Sequence, residues 1–117
     1  MNVFVFGSNR EGRHGKGAAL EARMKHGAIY GRSDGLQGSS YAIVTKELRR
    51  DHLPVTLDEI QAGVNLFLTF AAQHQEHEFF VTPIGCGLAG FKPEQIAQLF
   101  RNRPNNVTLH TRLLSAL

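Results

Sequence analysis

Only one cysteine, Cys86, occurs among the 117 residues, so no intramolecular disulfide can form and no cysteine-based zinc site is suggested. No stretch approaches the ~20 apolar residues of a membrane-spanning helix. The opening residues Met1 to Phe6 lack the basic segment and long apolar run of a signal peptide, and a cytoplasmic location is the expectation. Neither sign of charge dominates, since thirteen Lys and Arg against ten Asp and Glu leave a formal +3. The basic residues are dispersed from Arg10 to Arg112, which favours an anionic ligand but only weakly implies a nucleic-acid face. No internal repeat, low-complexity tract or linker divides the chain. Its length suffices for one compact core and not for two ordinary domains, so residues 1–117 are expected to form a single domain.

What the chain does have is glycine, gathered into two loops of one kind. Asn2 to Phe6 is β-branched and aromatic, as a buried strand would be, and it runs into Gly7, Gly12, Gly15 and Gly17 before a helix-favouring segment from Ala18 to about Lys25. Strand, glycine loop and helix recur at the other end. There Phe79 to Val81 precedes Gly85, Gly87 and Gly90, and Pro93 fits the first position of a helix running toward Arg101. Backbone with few side chains can wrap its amides around an anion, and a helix N-terminus adds a favourable dipole, expected here near Pro93. Neither loop has the strict Walker pattern or the strict dinucleotide fingerprint.

Between the loops, Gly27 to Ser40 is dense in Gly and Ser and reads as a surface loop. Tyr41 to Val44 is a second apolar run, with Lys46 at its end. Thr56 followed by Glu59 has the form of a capping box, and Ile60, Val64, Phe67, Leu68 and Ala71 then fall on one helical face. His74 and His77 lie in a polar turn, and no metal site is expected from their proximity alone. Val107 to His110 reads as a last strand, and Leu113 to Leu117 as a short apolar tail that packs or joins a partner. Alternating strands and helices predict an α/β fold, a three-layer α/β/α sandwich with a mixed, mostly parallel sheet. Ligands of such sheets sit at the carboxyl ends of the strands, which would put both glycine loops and Lys46 on one edge.

The pieces resemble a macrodomain, the family that binds ADP-ribose and in some members hydrolyses ADP-ribosyl bonds. Phe6 to Ala19 is similar to that family's asparagine-bearing strand end with its glycine loop, and Pro83 to Phe91 is similar to its diphosphate loop. Tyr41 to Lys46, then Pro54 and the helix from Thr56, resemble the branch that removes ADP-ribose from glutamate, including terminal ADP-ribose protein glycohydrolase. The resemblance covers nearly the whole chain. It implies ADP-ribose or an ADP-ribosylated molecule as partner rather than nucleic acid, with no cofactor and no membrane. Asn9 matches the asparagine that contacts the ribose beyond the diphosphate, with Ser8 beside it. His14, Gly15, Lys16, Gly17 and Ala18 match the loop that closes over that ribose and the phosphates. Gly85, Cys86, Gly87, Leu88, Ala89 and Gly90 match the diphosphate loop, and Phe91 matches the bulky residue lining the ribose pocket.

Catalysis would fall to Lys46, which sits where the glutamate-directed branch carries its lysine, or to Asn9 or His14 positioning a water. Two departures bear on this. Ala89 stands where that branch has the acidic partner of the lysine, and the chain starts at its first strand without the Gly-Asp segment that reads adenine in many macrodomains. The first puts turnover in doubt and the second adenine specificity. Three readings follow: an ADP-ribose binder that hydrolyses an ADP-ribosyl bond, a sensor or sponge that only binds, and a small nucleic-acid-binding module.

Overall fold

The computed structural model describes all residues, 1–117. Five strands, β1 (Asn2–Asn9), β2 (Gly35–Gln37), β3 (Ser40–Lys46), β4 (Glu78–Val81) and β5 (Val107–Leu109), form one sheet in the order β2-β3-β1-β4-β5. Strand β1 pairs parallel with β3 and β4, and β4 pairs parallel with β5, while only β2 runs antiparallel. The helices are α1 (Gly17–Lys25), α2 (Leu57–Gln73), α3 (Pro93–Ala97) and α4 (Thr111–Leu114). The result is the expected α/β sandwich with a mixed, mostly parallel sheet.

Alternation along the strands assigns the two faces. Val3, Val5, Ile43, Phe79 and Val81 point to one side, where they meet Ile60, Val64 and Phe67 of α2, Ile96 of α3 and Leu113 of α4 in the main core. Phe6 and Ala42 point to the other side, where Ala19 and Ala22 of α1 cover them. Small residues let α1 lie close to the sheet. The α1 layer is narrower than the α2 layer, and Phe80, on the α1 side of β4, keeps 42% of its surface exposed. No helix is long and apolar enough to cross a membrane.

Three expectations need correction. Gly27 to Ser40 is not all loop, because Gly35–Gln37 forms β2 and Ser40 opens β3. Buried Gln37 replaces the missing apolar pattern: its side chain accepts from Ile29 N and donates to the Arg32 and Asp34 carbonyls. The segment then closes on itself where Gly27 and Gly38 meet, so closely that a Cβ on Gly38 would lie 2.8 Å from Gly27 Cα. Second, β1 continues past Phe6 to Asn9, carried by its pairing with β3 through Ser8. Third, the helix at Pro93 is only five residues long and passes into a 3₁₀ turn at Gln98–Phe100, short of Arg101. The C-terminal segment begins as the short helix α4, and its Leu113 is fully buried in the main core.

Candidate anion-binding site

From β1 the chain enters α1 on one face of the sheet, and from the adjacent β4 it enters α3 on the opposite face. Neighbouring strands whose connections diverge in this way leave a crevice beyond their carboxyl ends, the usual ligand position in open α/β sheets. A cavity of about 570 Å³ occupies it. Its walls come from the end of β1, the end of β3, the β1–α1 loop running into α1, and the loop from Thr82 to Ala89 after β4. Pockets of this size hold small organic ligands.

Two stretches of its lining carry unpaired amides. Gly15, Lys16, Gly17, Ala18 and Ala19 each have an N–H that donates to no other group of the protein. The last three form the first turn of α1, whose N-cap residue Lys16 makes no side-chain cap and whose first turn holds no acid. On the other wall the N–H groups of Gly85, Gly87, Leu88 and Ala89 are likewise without acceptors. The intervening turn is held by Phe91 N donating to Gly85 O and Gly90 N donating to Gly87 O. Gly85 sits at φ +70°, where an L side chain is strained, and a Cβ there would come 3.2 Å from Ile96 Cδ1.

The charged lining is of one sign. Arg13, Lys16 and Lys46 border the cavity, none has a carboxylate partner, and no Asp or Glu lines it. Glu47, next to Lys46, is turned away with its side chain 2% exposed. There it meets the Arg10 guanidinium at 3.1 Å and accepts from Arg49 N at 2.9 Å. Contact with the Glu11 carboxyl, then the Arg49 amide and Arg10, hold the Glu47 acid down at about 2. Arg10 also reaches Glu59 at 2.6 Å and the Leu53 carbonyl at 2.6 Å, which ties the end of β1 to the start of α2. The acids nearest the cavity therefore serve the framework.

The neutral polar groups are committed too. Ser8 donates its hydroxyl to Ser33 O, Thr45 to Ser8 O at 3.2 Å and Thr82 to Val5 O at 2.7 Å. Asn9 accepts from Arg13 N and donates to Arg13 O, both at 2.8 Å, so its amide pins the β1–α1 loop.

Of the residues singled out from sequence, Ser8, Asn9, Gly15, Lys16, Gly17, Ala18, Lys46, Gly85, Gly87, Leu88 and Ala89 line this cavity. His14, Cys86, Gly90 and Phe91 do not. The His14 ring is fully buried, edge-on to Phe6 at 5.4 Å and to Tyr30 at 6.3 Å, with neither nitrogen hydrogen-bonded. Cys86 donates its thiol to Ile84 O, and burial pushes its pKa up, away from a reactive thiolate. Phe91 packs against the main core. The helix after Pro93 does not border the cavity, and the N-terminus that does is that of α1. Sequence reading missed Arg13, Thr45 and Leu48 as lining residues. Arg13 lies inside a glycine loop and could have been found there, whereas Leu48 looks like any exposed apolar residue.

No family model matches this chain, and no curated protein matches it. Solved structures do match. A protein of unknown function from Bacteroides thetaiotaomicron is similar over 94% of this chain and 88% of its own, with TM-score 0.61 and 19% identity. Another protein from that organism, known from a crystal structure, is similar over 92% and 87%, with TM-score 0.63 and 20% identity. A macrodomain protein from Streptomyces coelicolor is similar over 92% and 86%, with TM-score 0.60 and 16% identity. The fold is macrodomain-like. In this macrodomain-like fold the cavity occupies the end of the sheet where its strands β1, β3 and β4 terminate together.

Proposed function

We propose that this chain binds ADP-ribose or a closely related diphosphate nucleotide. The observation that carries the proposal is the two sets of unpaired amides, Gly15 to Ala19 on one wall and Gly85, Gly87, Leu88 and Ala89 on the other, lining one cavity that holds three unpaired cations and no carboxylate. A diphosphate is stabilised by such amides, by the positive end of α1 and by the cations, without any need for a general base. The likeness to a macrodomain protein supports the same ligand class. Binding is favoured over turnover, because Ala89 supplies no acid to Lys46 and Glu47 is engaged elsewhere. Proton transfer by a positioned acid or base is typically worth ~10² to 10⁴ in rate.

Isothermal titration tests the reading. Micromolar affinity for ADP-ribose is expected, roughly −7 to −9 kcal/mol, with AMP binding far less well. No heat and no melting shift at millimolar ADP-ribose would overturn it. The preference for binding falls if the protein releases ADP-ribose from modified glutamate rapidly and in a Lys46-dependent way.

A further inference from the structure

With the cavity read as an anion site, a reading on which this inference rests, the wall from Gly15 to Ala19 must keep its amides turned toward the ligand. The first half of the loop leading there is fastened by hydrogen bonds. Asn9 clasps Arg13 N and O, and Gly31 N donates to Gly12 O at 2.8 Å, in a contact so close that a Cβ on Gly12 would lie 2.5 Å from Gly31 C. The second half has no such ties. Gly15 and Gly17 carry no side chain, and Lys16 makes neither a cap nor an ion pair. Between the halves stands His14, the one residue from Arg13 to Gly17 that the protein encloses.

Its ring is seated without a hydrogen bond. A neutral imidazole always carries one N–H, so a donor and an acceptor are both buried unpaired, which costs stability. The seat is aromatic, formed by Phe6 of β1, which brings no charge, and by Tyr30 of the segment before β2. Arg23 of α1 and the Arg32 carbonyl are the charged and polar groups that face the ring, beside the titratable Tyr30. A charged ring in that seat would be a buried cation near the Arg23 guanidinium, with only the Arg32 carbonyl to favour it. We propose that His14 is a positioning residue for the anion site: its neutral ring, seated between Phe6 and Tyr30, holds the Gly15 to Ala19 amides toward the ligand, and protonation unseats it and weakens binding. An unseated imidazole titrates near ~6.5, whereas burial, opposed by the Arg32 carbonyl and aided by Arg23, lowers that value in the seat. Below it the loose loop takes up a proton that the seated loop does not, and the binding-competent fraction falls.

Titration of ADP-ribose at about pH 7.5 and about pH 5.5, at fixed ionic strength, tests this. The ligand's diphosphate is esterified at both ends and keeps its charge over that range, as do the arginine and lysines of the cavity. No other histidine lines it. About one unit below the imidazole value the proton favours the loose loop by at most about tenfold, so affinity should fall by roughly three- to tenfold on acidification. His14→Phe, which fills the same seat without titrating, should match the wild type near neutral pH and lose less than roughly twofold on acidification. In the free protein the amide resonances of Gly15 to Ala19 should move toward unstructured positions with the midpoint of the His14 ring, and those of Gly85, Gly87, Leu88 and Ala89 should not. Thermal melts at both pH values keep the comparison to folded protein. Affinity that holds or rises on acidification, as it would if a charged His14 met the anion, overturns the inference and leaves the ADP-ribose reading standing. An equal fall in His14→Phe does the same. Absence of ADP-ribose binding at either pH overturns that reading instead, and the amide resonances then decide on His14: following its titration supports the inference, and ignoring it overturns it.

Discussion

A Cβ built on Gly87 meets nothing within 4 Å, whereas one on Gly85 meets the Ile96 side chain from a left-handed backbone. The two glycines of one loop therefore answer to different demands, Gly85 to folding and Gly87 to the space beside the unpaired amides. Gly85→Ala should destabilise by ~1 to 2 kcal/mol, the usual cost of a left-handed L residue, and lower the Tm by several degrees. Gly87→Val should leave the Tm within a degree or so and impair ADP-ribose binding, since its side chain projects into open space. The reverse pattern in thermal melts and titrations would show that Gly87 holds the loop instead. His14 sets a second test at this scale. Burial lowers its pKa in the folded protein, with the nearby Arg32 carbonyl offsetting part of the effect. As pH falls past about 6.5 the unfolded chain takes up that proton first, so stability is full above that pH and declines below it, until the buried ring is protonated as well. Melting temperature followed from pH 7 to 5 should fall in the wild type, and fall less in His14→Phe, which keeps an aromatic ring between Phe6 and Tyr30. Equal slopes would mean that other groups carry the acid sensitivity.

Among the elements, α2 is the one whose start and buried face can both be read directly from its residues. Thr56 Oγ1 accepts from Glu59 N at 3.2 Å and Glu59 Oε1 accepts from Thr56 N at 3.3 Å, so the capping box of the sequence is formed in full. Ile60, Val64, Phe67 and Ala71 are all buried, as their spacing requires. Thr56→Ala should cost about 1 kcal/mol, seen as a lower midpoint in urea with an unchanged slope. A neutral result would mean that the Arg10 contact to Glu59 alone fixes this terminus. Strand β2 was illegible for the opposite reason. It has three residues, one of them glycine, and its register depends on Gln37 reaching carbonyls and an amide elsewhere in the same loop, contacts that no periodicity encodes. The short helix at Pro93 shows a further limit: proline marks where it starts, while its end is decided by packing of Ile96, Ala97 and Phe100 into the core.

For the molecule as a whole, the order of elements was enough to bring both glycine loops and Lys46 to one end of the sheet, because parallel strands must all end there. Which side chains in those loops face the cavity was not legible, since His14 and Arg13 are adjacent in sequence and only the latter lines it. The distribution of charge follows the same geometry and sets an expectation for a small anionic ligand against a nucleic acid. Arg13, Lys16 and Lys46 converge on the cavity, while Arg101 and Arg103 border a separate, smaller cleft of about 310 Å³ near the start of β5, at the opposite end of the sheet. A polynucleotide would need a continuous basic track to neutralise many phosphates, and each one neutralised steepens the fall of log K with log salt by ~0.7 for a single strand. The two basic sites are separated by the length of the strands and do not themselves form one track. A short single-stranded RNA should therefore bind weakly at low salt and not at all near physiological salt, whereas ADP-ribose, held largely by amides inside a cavity, should lose little affinity over the same range. Fluorescence anisotropy with labelled RNA, run beside titration with ADP-ribose at each salt concentration, gives both slopes. Tight RNA binding that persists at physiological salt, and that ADP-ribose does not displace, would move the function from the cavity to the outer surface.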